Sequence, residues 1–418
     1  MTPDFWIDRL PDPDRVLADA ASIAAQNERL RALGPAVRSL DALPDRLDAS
    51  QVREWIGSVS CRPAAPLFDG HGTPVTDGEL DDLQSSLALE SVPSSQCSTF
   101  GLVTHRASLR TFPTMRQVFK SPGDSDLDRF QESAFFPGTP VVVVHSDASG
   151  DWIFVVGEFY CAWMSAEAVA IGNRETVLEY GRRTPALTVT GAQVRTLSSP
   201  GRPALSELVL DMGVRVPLSA DQPADGYTVD LPARAADGTL RIVPALLPGS
   251  ADVTLAPLPY SRAVLIRQAF KFLGERYGWG HAHGARDCSG FVAEVYRSVG
   301  IELPRNSRDQ AASEAFDRLA FEPGTKHSAR VAALKRLQAG DLVYVPGHVM
   351  MVLGQTREGP WVIHDTHRPS MKGNDGVLRP LPATGVVVTP LLPLHFGDDG
   401  GLVDAVTAIQ RIRPGSTT

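Results

Sequence analysis

The stretch from residue 277 to residue 292 constrains the fold most, because it places a cysteine between a glycine-rich turn and an amphipathic helix. Beyond Ser289 the apolar residues recur at helical spacing, at Phe291, Val292, Val295, Tyr296 and Val299. This periodicity predicts a helix that begins at or near Cys288. Unpaired backbone N–H groups and the positive end of the helix dipole favour a thiolate at such a position. Cys288 is therefore a candidate nucleophile.

Two histidines follow Cys288 on predicted strands. His348 opens a strand directly after the turn at Pro346 and Gly347, and His364 ends the next run, residues 361–364. The order of one cysteine and two histidines suits a nucleophile, a base and a group that orients the base. His367 lies close to His364 in the chain and is the alternative third residue.

Several blocks around these three side chains resemble the NlpC-type cell-wall cysteine peptidases in their order and spacing. The blocks are residues 287–291, 303–310, 339–342, 347–349 and 363–364. The resemblance covers roughly residues 260 to 395. It implies a papain-like α+β domain that hydrolyses the γ-D-glutamyl–diamino acid bond of peptidoglycan stem peptides. Residue by residue, it implies Cys288 as the nucleophile, His348 as the base, His364 as the orienting group and Tyr277 as an oxyanion donor.

A metal site is the alternative interpretation of the histidine-rich segments. The residue types that zinc accepts here are His281, His283, Asp287, His364 and His367. The first two are separated by one residue in a glycine-rich turn, and the chain has no Cys-x-x-Cys or His-Glu-x-x-His. We therefore expect no metal and no cofactor.

Composition and charge limit the partners. The 418 residues carry a net charge of −8 and no basic run, so nucleic-acid binding has no electrostatic support. The four cysteines are scattered and form no disulfide framework. No stretch reaches the ~18 apolar residues of a membrane span. The start of the chain lacks an export pattern. We expect a cytoplasmic protein if Met1 is native, and an envelope or periplasmic one if a signal or lipid anchor was trimmed.

The pattern along the chain predicts an α+β protein of four parts. They are a helical region (residues 1–97), a first SH3-like barrel (98–172), a second SH3-like barrel (173–258) and a papain-like catalytic domain (259–418). Residues 102–110 partly alternate, and residues 139–145 and 151–156 are apolar runs, as β-strands require. The two barrels are not a close sequence repeat, so an unrelated second β domain is the alternative.

The resemblance also implies how a barrel serves a peptidase. In multidomain relatives the first barrel narrows the cleft, so that stem peptides must present a free N-terminal L-alanine. A carboxylate and a hydroxyl can hold that ammonium group, and Glu132 and Tyr160 match these roles, with Asp287 assisting. Ser289 and Ser307 match residues that bind neighbouring substrate groups.

One position departs from some relatives, which carry an aspartate where this chain has Asn306. The amide keeps hydrogen bonding but loses the charge, so the ammonium group depends more on Glu132 and Asp287. Two other functions stay open at this point. One is a catalytically idle protein whose barrels bind peptidoglycan, and the other is a papain-like amidase or acyltransferase of different specificity.

Overall fold

The computed structural model describes residues 1–373, 375–395 and 401–415. Helices dominate its N-terminal region, where Asp19, Asp48 and Thr76 cap helix N-termini through their side chains. The helices are α1 (Pro3–Ile7), α2 (Ala20–Leu33), α3 (Ala49–Val59) and α4 (Asp77–Ser86). Strand β1 (Arg46–Asp48) pairs with β2 (Ser95–Cys97) in antiparallel register.

These helices belong to two different cores. Trp6 of α1 and Leu30 of α2 are buried among apolar residues of the C-terminal domain. Trp55 and Ile56 of α3 are buried instead with strand residues of the first β segment, including Trp163. The helical region therefore packs partly on the C-terminal domain and partly on the first β segment. Its helices are short, and burial of their apolar faces against these two domains stabilises them.

The first β segment forms one antiparallel sheet in the order β5-β4-β8-β7-β6-β3-β9. Its strands are β3 (Thr99–Val103), β4 (Ala107–Arg110), β5 (Gln131–Phe135), β6 (Pro140–Ser146), β7 (Trp152–Val156), β8 (Cys161–Ser165) and β9 (Val169–Ile171). The predicted strand over residues 102–110 is wrong in one respect. The chain turns at residues 104–106, between β3 and β4, and this turn carries Arg106 toward the C-terminal domain.

The second β segment follows helix α5 (Arg174–Tyr180) and has a core of its own, built around Leu187, Leu210 and Val216. Its strands are β10 (Ala186–Val189), β11 (Gln193–Arg195), β12 (Val209–Asp211), β13 (Arg215–Pro217), β14 (Tyr227–Arg234), β15 (Leu240–Leu247) and β16 (Val253–Thr254). They pair as β13-β10-β16, β11-β12 and the hairpin β14-β15. That this segment is a second SH3-like barrel remains a prediction.

The C-terminal domain is built on the sheet β17-β25-β18-β19-β20-β23. The strands of the whole domain are β17 (Asp317–Ala320), β18 (Leu342–Val345), β19 (His348–Thr356), β20 (Gly359–His367), β21 (Ser370–Lys372), β22 (Leu378–Pro380), β23 (Thr384–Pro390), β24 (Leu394–His395) and β25 (Ala408–Arg411). Its helices are α6 (Arg262–Phe270), α7 (Cys288–Arg297), α8 (Ser307–Ala312), α9 (His327–Leu334) and α10 (Leu402–Ala405).

Both faces of this sheet are buried. Phe291 and Val295 of α7 pack on one face together with Met351 and Ile363. Leu334 of α9 and other apolar residues cover the opposite face. The mixture of helices and sheets confirms the predicted α+β class. Among the described residues, no helix combines the length and the apolar composition needed to cross a bilayer.

Candidate active site

Cys288 is the first residue of α7, as the apolar periodicity predicts. Asp287 caps this helix, and its Oδ1 accepts a hydrogen bond of 2.8 Å from the backbone N–H of Gly290. The Cys288 Sγ lies 3.9 Å from the carbonyl oxygen of Gly347, and the backbone N–H of Val349 donates toward it. The thiol therefore lies at the start of β19 and contacts the backbone of Gly347 and Val349, the residues on either side of His348.

His348 and His364 form a hydrogen-bonded pair across β19 and β20. The Nε2 of His348 is 2.9 Å from the Nδ1 of His364, and the Nε2 of His364 is 3.0 Å from the hydroxyl of Thr389 on β23. Strand β20 runs on to His367, beyond the predicted end at His364. The Nε2 of His367 lies 3.3 Å from an oxygen of Asp126, which belongs to the first β segment.

The ionisation of the thiol differs from the sequence-based expectation. Burial, reinforced by the negative charge of Asp287, raises the pKa of the Cys288 thiol to about 12, although the Val349 N–H opposes the shift. Burial lowers the pKa of His348 to about 3. The helix N-terminus favours the thiolate, but burial outweighs it, so the resting pair is a neutral thiol and a neutral imidazole.

Tyr277 lies close to this pair. Its side chain is buried, and burial followed by the charge of a Cys288 thiolate raises its pKa well above the usual value. Its ring centroid is 5.9 Å from that of His367. The phenol therefore stays protonated at neutral pH and can donate a hydrogen bond near the reacting sulfur.

Asp365 is a buried acid that the sequence did not single out. Among the described residues, no side chain donates a hydrogen bond to its carboxyl oxygens, and the backbone N–H of Thr366 is the group that favours its charged form. Burial raises its pKa well above the usual value. The charge of an ionised Asp365 acts on both Cys288 and Tyr277 and raises the pKa of each.

Arg305 binds the predicted substrate-binding residues Asp287 and Ser289. Its Nη2 is 2.7 Å from Asp287 Oδ2, and its Nη1 is 3.0 Å from the Ser289 hydroxyl. Burial by itself would raise the pKa of the Asp287 carboxyl. The positive charge of Arg305 outweighs burial and lowers this pKa to about 2. Sequence reasoning missed Arg305, although it precedes Asn306 in a block that resembles the family.

Glu132 and Tyr160 are also brought together. The Tyr160 hydroxyl donates a hydrogen bond of 2.5 Å to Glu132 Oε2, and the Thr111 hydroxyl donates one of 2.6 Å to Oε1. Burial, together with the charge of Glu132, raises the pKa of Tyr160 well above the usual value. The positive charge of Arg305 acts on the same hydroxyl, which connects this pair to the Asp287 cluster.

The two remaining predicted residues stand at the start of α8. Ser307 is its first residue, and Asn306 occupies the N-cap position. The side-chain amide of Asn306 donates a hydrogen bond of 3.1 Å to Asp309. The structure thus gives Asn306 a partner within its own helix.

The histidines of the metal alternative are dispersed over different partners. His281 contacts Glu294 at 3.2 Å and Arg305 at 2.9 Å, whereas His364 contacts His348. Within residues 1–373, 375–395 and 401–415, no group of three or more histidine, cysteine, aspartate or glutamate side chains has an arrangement that could hold a metal ion.

Comparisons with known proteins agree with this geometry. Residues 274–372 match the family model described as NlpC/P60 family, and residues 117–165 match the one described as SH3 domain (SH3b1 type). A probable endopeptidase from Corynebacterium glutamicum (strain R) is 33% identical over 88 residues. That match covers 19% of this chain and 42% of the relative, so the chain spans less than half of that curated protein's length.

Two solved structures have a similar fold. An NlpC/P60 endopeptidase from Photobacterium damselae subsp. piscicida matches with a TM-score of 0.78 at 18% identity, over 99% of this chain and 97% of the other. An NlpC/P60 family protein from Bacillus cereus ATCC 10987 matches with a TM-score of 0.50 at 21% identity, over 75% of this chain and 100% of the other. The chain therefore carries an NlpC/P60 domain of papain-like fold, preceded by an SH3 domain of the SH3b1 type.

Proposed function

We propose that the protein is a cysteine endopeptidase that hydrolyses the γ-D-glutamyl–diamino acid bond of peptidoglycan stem peptides. The observation that carries the proposal is the position of the Cys288 thiol against the backbone of Gly347 and Val349, the two neighbours of His348, which is itself hydrogen-bonded to His364. The NlpC/P60 domain and the endopeptidase names of similar proteins support the same chemistry. We further propose that the preferred peptides begin with a free L-alanine.

The first half of the reaction forms a thioester. The Cys288 thiol transfers its proton to His348 as the sulfur attacks the γ-carbonyl carbon of the D-glutamyl residue. The backbone N–H of Cys288 and the Tyr277 hydroxyl stabilise the oxyanion, and one such donor is worth about 2.7–4 kcal/mol in other enzymes. The imidazolium of His348 then protonates the leaving amine of the diamino acid as the C–N bond breaks.

The second half returns the enzyme to its resting state. A water molecule gives a proton to His348 while its oxygen attacks the thioester carbon. The C–S bond breaks, the sulfur regains the proton, and the product leaves with a free γ-carboxyl group. His364 orients the base through the bond of 2.9 Å, and Thr389 holds His364 in turn. This is the arrangement of nucleophile, base and orienting group found in other acyl-transfer sites.

Glu132 and Tyr160 are the proposed site for the L-alanine ammonium group. Their bond of 2.5 Å presents a carboxylate and a hydroxyl together, and Glu132 is only partly buried. Asp287 acts less directly in this proposal, because Arg305 and the N–H groups of Gly280 and Gly290 already occupy its oxygens. Ser289 and Ser307 then contact neighbouring groups of the peptide.

Mass spectrometry of peptide products tests the proposal. The substrate is L-Ala-γ-D-Glu-diaminopimelate, compared with the same peptide acetylated at its N-terminus and with the Cys288→Ala variant as the blank. Cleavage of the free peptide alone is expected. Cleavage of both peptides would remove the ammonium site from the proposal, and cleavage of neither would favour another acyl substrate or a binding role.

A further inference from the structure

The loop that precedes Cys288 has an unusual backbone conformation. Gly280, His281, His283 and Gly284 all have positive φ, between 56° and 69°. Two of these residues are histidines, and residues with a side chain rarely adopt this conformation because it is strained. We call residues 278–287 the nucleophile loop. Such a loop keeps its shape only where surrounding groups impose it.

Arg106, from the turn between β3 and β4, holds the middle of this loop. Its guanidinium donates to the carbonyl oxygens of His281 at 2.9 Å, Ala285 at 2.5 Å and Gly284 at 3.2 Å. The same guanidinium pairs with Asp211 of β12 at 2.5 Å. One side chain of the first β segment therefore fixes three loop carbonyls and also joins the second segment.

Two glutamines, one from each β segment, also form hydrogen bonds with the nucleophile loop. Gln131 of β5 donates to the Gly280 carbonyl at 2.8 Å and accepts at its own backbone carbonyl from the Trp279 indole at 3.0 Å. Gln193 of β11 donates to the Gly284 carbonyl at 3.0 Å. The packing is close, since a Cβ on Gly280 would lie 3.0 Å from backbone atoms of β5.

Arg286 carries the constraint from the loop to the helix of the nucleophile. Its guanidinium is fully buried and contacts Asp211 at 2.8 Å, Glu275 at 2.9 Å and Glu294 of α7 at 2.7 Å. It is followed directly by Asp287, the cap of α7, and by Cys288. Displacement of the loop would therefore move the N-terminus of the helix that carries the thiol.

We infer that the two β segments set the conformation of the nucleophile loop, with Arg106 as the main positioning residue, and thereby the position of the Cys288 thiol. This inference rests on the proposed function for its catalytic consequence. It assigns the β segments a role in the chemistry that does not depend on their touching the substrate.

The test compares Arg106→Met with a matched control, Arg174→Met. Arg174 also pairs with one carboxylate, Asp45 at 2.7 Å, and also donates to backbone carbonyls, those of Asp41 at 2.6 Å and Leu43 at 3.0 Å. Its hydrogen bonds join α5 to the N-terminal region, its guanidinium lies over the Phe100 ring of β3, and none of these contacts reaches the loop. Both variants lose an arginine that bridges two parts of the chain, but only Arg106→Met removes hydrogen bonds to the nucleophile loop.

Two readouts are needed, peptide cleavage and the pH profile of Cys288 alkylation by iodoacetamide, followed on the cysteine-containing peptide by mass spectrometry. In Arg106→Met we expect kcat to fall at least about tenfold while KM stays within about threefold, since one misplaced reacting group lowers the rate more than binding. We also expect alkylation at lower pH than in the wild type, because a loosened loop exposes the thiol. Arg174→Met should change neither readout by more than about twofold.

Arg106→Lys separates positioning from general stability. Lysine keeps a positive charge for Asp211 but lacks the planar fork that reaches several carbonyls. We expect it to restore the melting temperature toward the wild type while the alkylation profile stays shifted. Wild-type alkylation and kcat in both Arg106 variants would overturn the inference. If the wild type fails to cleave the peptide, the proposed function fails, and the alkylation profiles alone still decide the inference.

Discussion

The two halves of the candidate site are built in different ways. His348 and His364 stand on the adjacent strands β19 and β20, and the hydrogen bonds from His348 to His364 and from His364 to Thr389 lie within the C-terminal domain. Cys288 follows the nucleophile loop, whose carbonyls are held by Arg106 and Gln131 of the first β segment and by Gln193 of the second.

This difference follows from how each backbone satisfies its hydrogen bonds. Strand residues are positioned by a ladder of main-chain bonds, so that neighbouring strands determine where the histidines point. The nucleophile loop, in which four residues have positive φ, forms few main-chain hydrogen bonds within itself. Side chains from distant parts of the chain bind its carbonyl groups instead. Substitution of a histidine should therefore affect only the histidine pair, whereas substitutions in the β segments should change the position of the Cys288 thiol.

Removal of the proposed nucleophile gives the largest expected effect. Cys288→Ala should lower the rate of peptide hydrolysis on the order of 10⁶-fold, as loss of a nucleophile does in other triads. Product analysis by mass spectrometry measures this loss, and circular dichroism should show an unchanged fold. Cys61→Ser is the control, since Cys61 is exposed and remote in sequence from the loop. Turnover by the alanine variant would rule out covalent catalysis by Cys288.

The histidine strands can be tested with a matched pair of substitutions. His364→Asn should lower kcat by roughly 10²–10⁴, because the proposed base, His348, loses its hydrogen-bond partner at 2.9 Å. His367→Asn should lower kcat by less than about tenfold, since His367 contacts Asp126 instead. Steady-state kinetics on the proposed peptide distinguishes them. A larger loss in the His367 variant would assign the orienting role to that residue.

The pH dependence of thiol reactivity tests the loop half of the comparison. Because burial raises the pKa of Cys288 to about 12, the thiolate fraction should grow about tenfold per pH unit between pH 7 and pH 10. The rate of iodoacetamide alkylation should rise in proportion. A synthetic peptide with the same cysteine serves as the reference, with its plateau above about pH 8.5. A folded-protein rate already at its plateau at pH 7 would mean a preformed thiolate.

The smallest expected effect concerns the ion pair of Asp287 and Arg305. Arg305 holds the pKa of Asp287 at about 2, below its unfolded value, so the charged carboxylate stabilises the fold above about pH 4. This contribution, about 2 kcal/mol from the size of the shift, is lost as the pH falls from about 4 to about 2. Urea unfolding of the wild type and Asp287→Asn should differ most near pH 6. A pH-independent difference would argue against this ion pair.

The C-terminal domain shows how far local patterns extend. The apolar spacing after Ser289 predicts a helix beginning at or near Cys288, and α7 begins there. The turn at Gly347 predicts a strand opening at His348, and β19 opens there. The α+β class and the family resemblance are confirmed by the fold and the matched domains. Each of these features depends on residues close together in the chain, whose periodicity is visible without a structure.

Other features of the site depend on contacts between distant residues. Arg106 lies 105 positions from Asp211 and 175 from His281, and no local pattern connects them. Burial, which determines the pKa of Cys288, is likewise a property of the packed molecule. The sequence alone therefore determined the fold class, the helix that begins at Cys288 and the order of cysteine and histidines. Only the tertiary structure decided the ionisation of the thiol and the shape of the loop before it, because both arise from groups that meet after the segments pack.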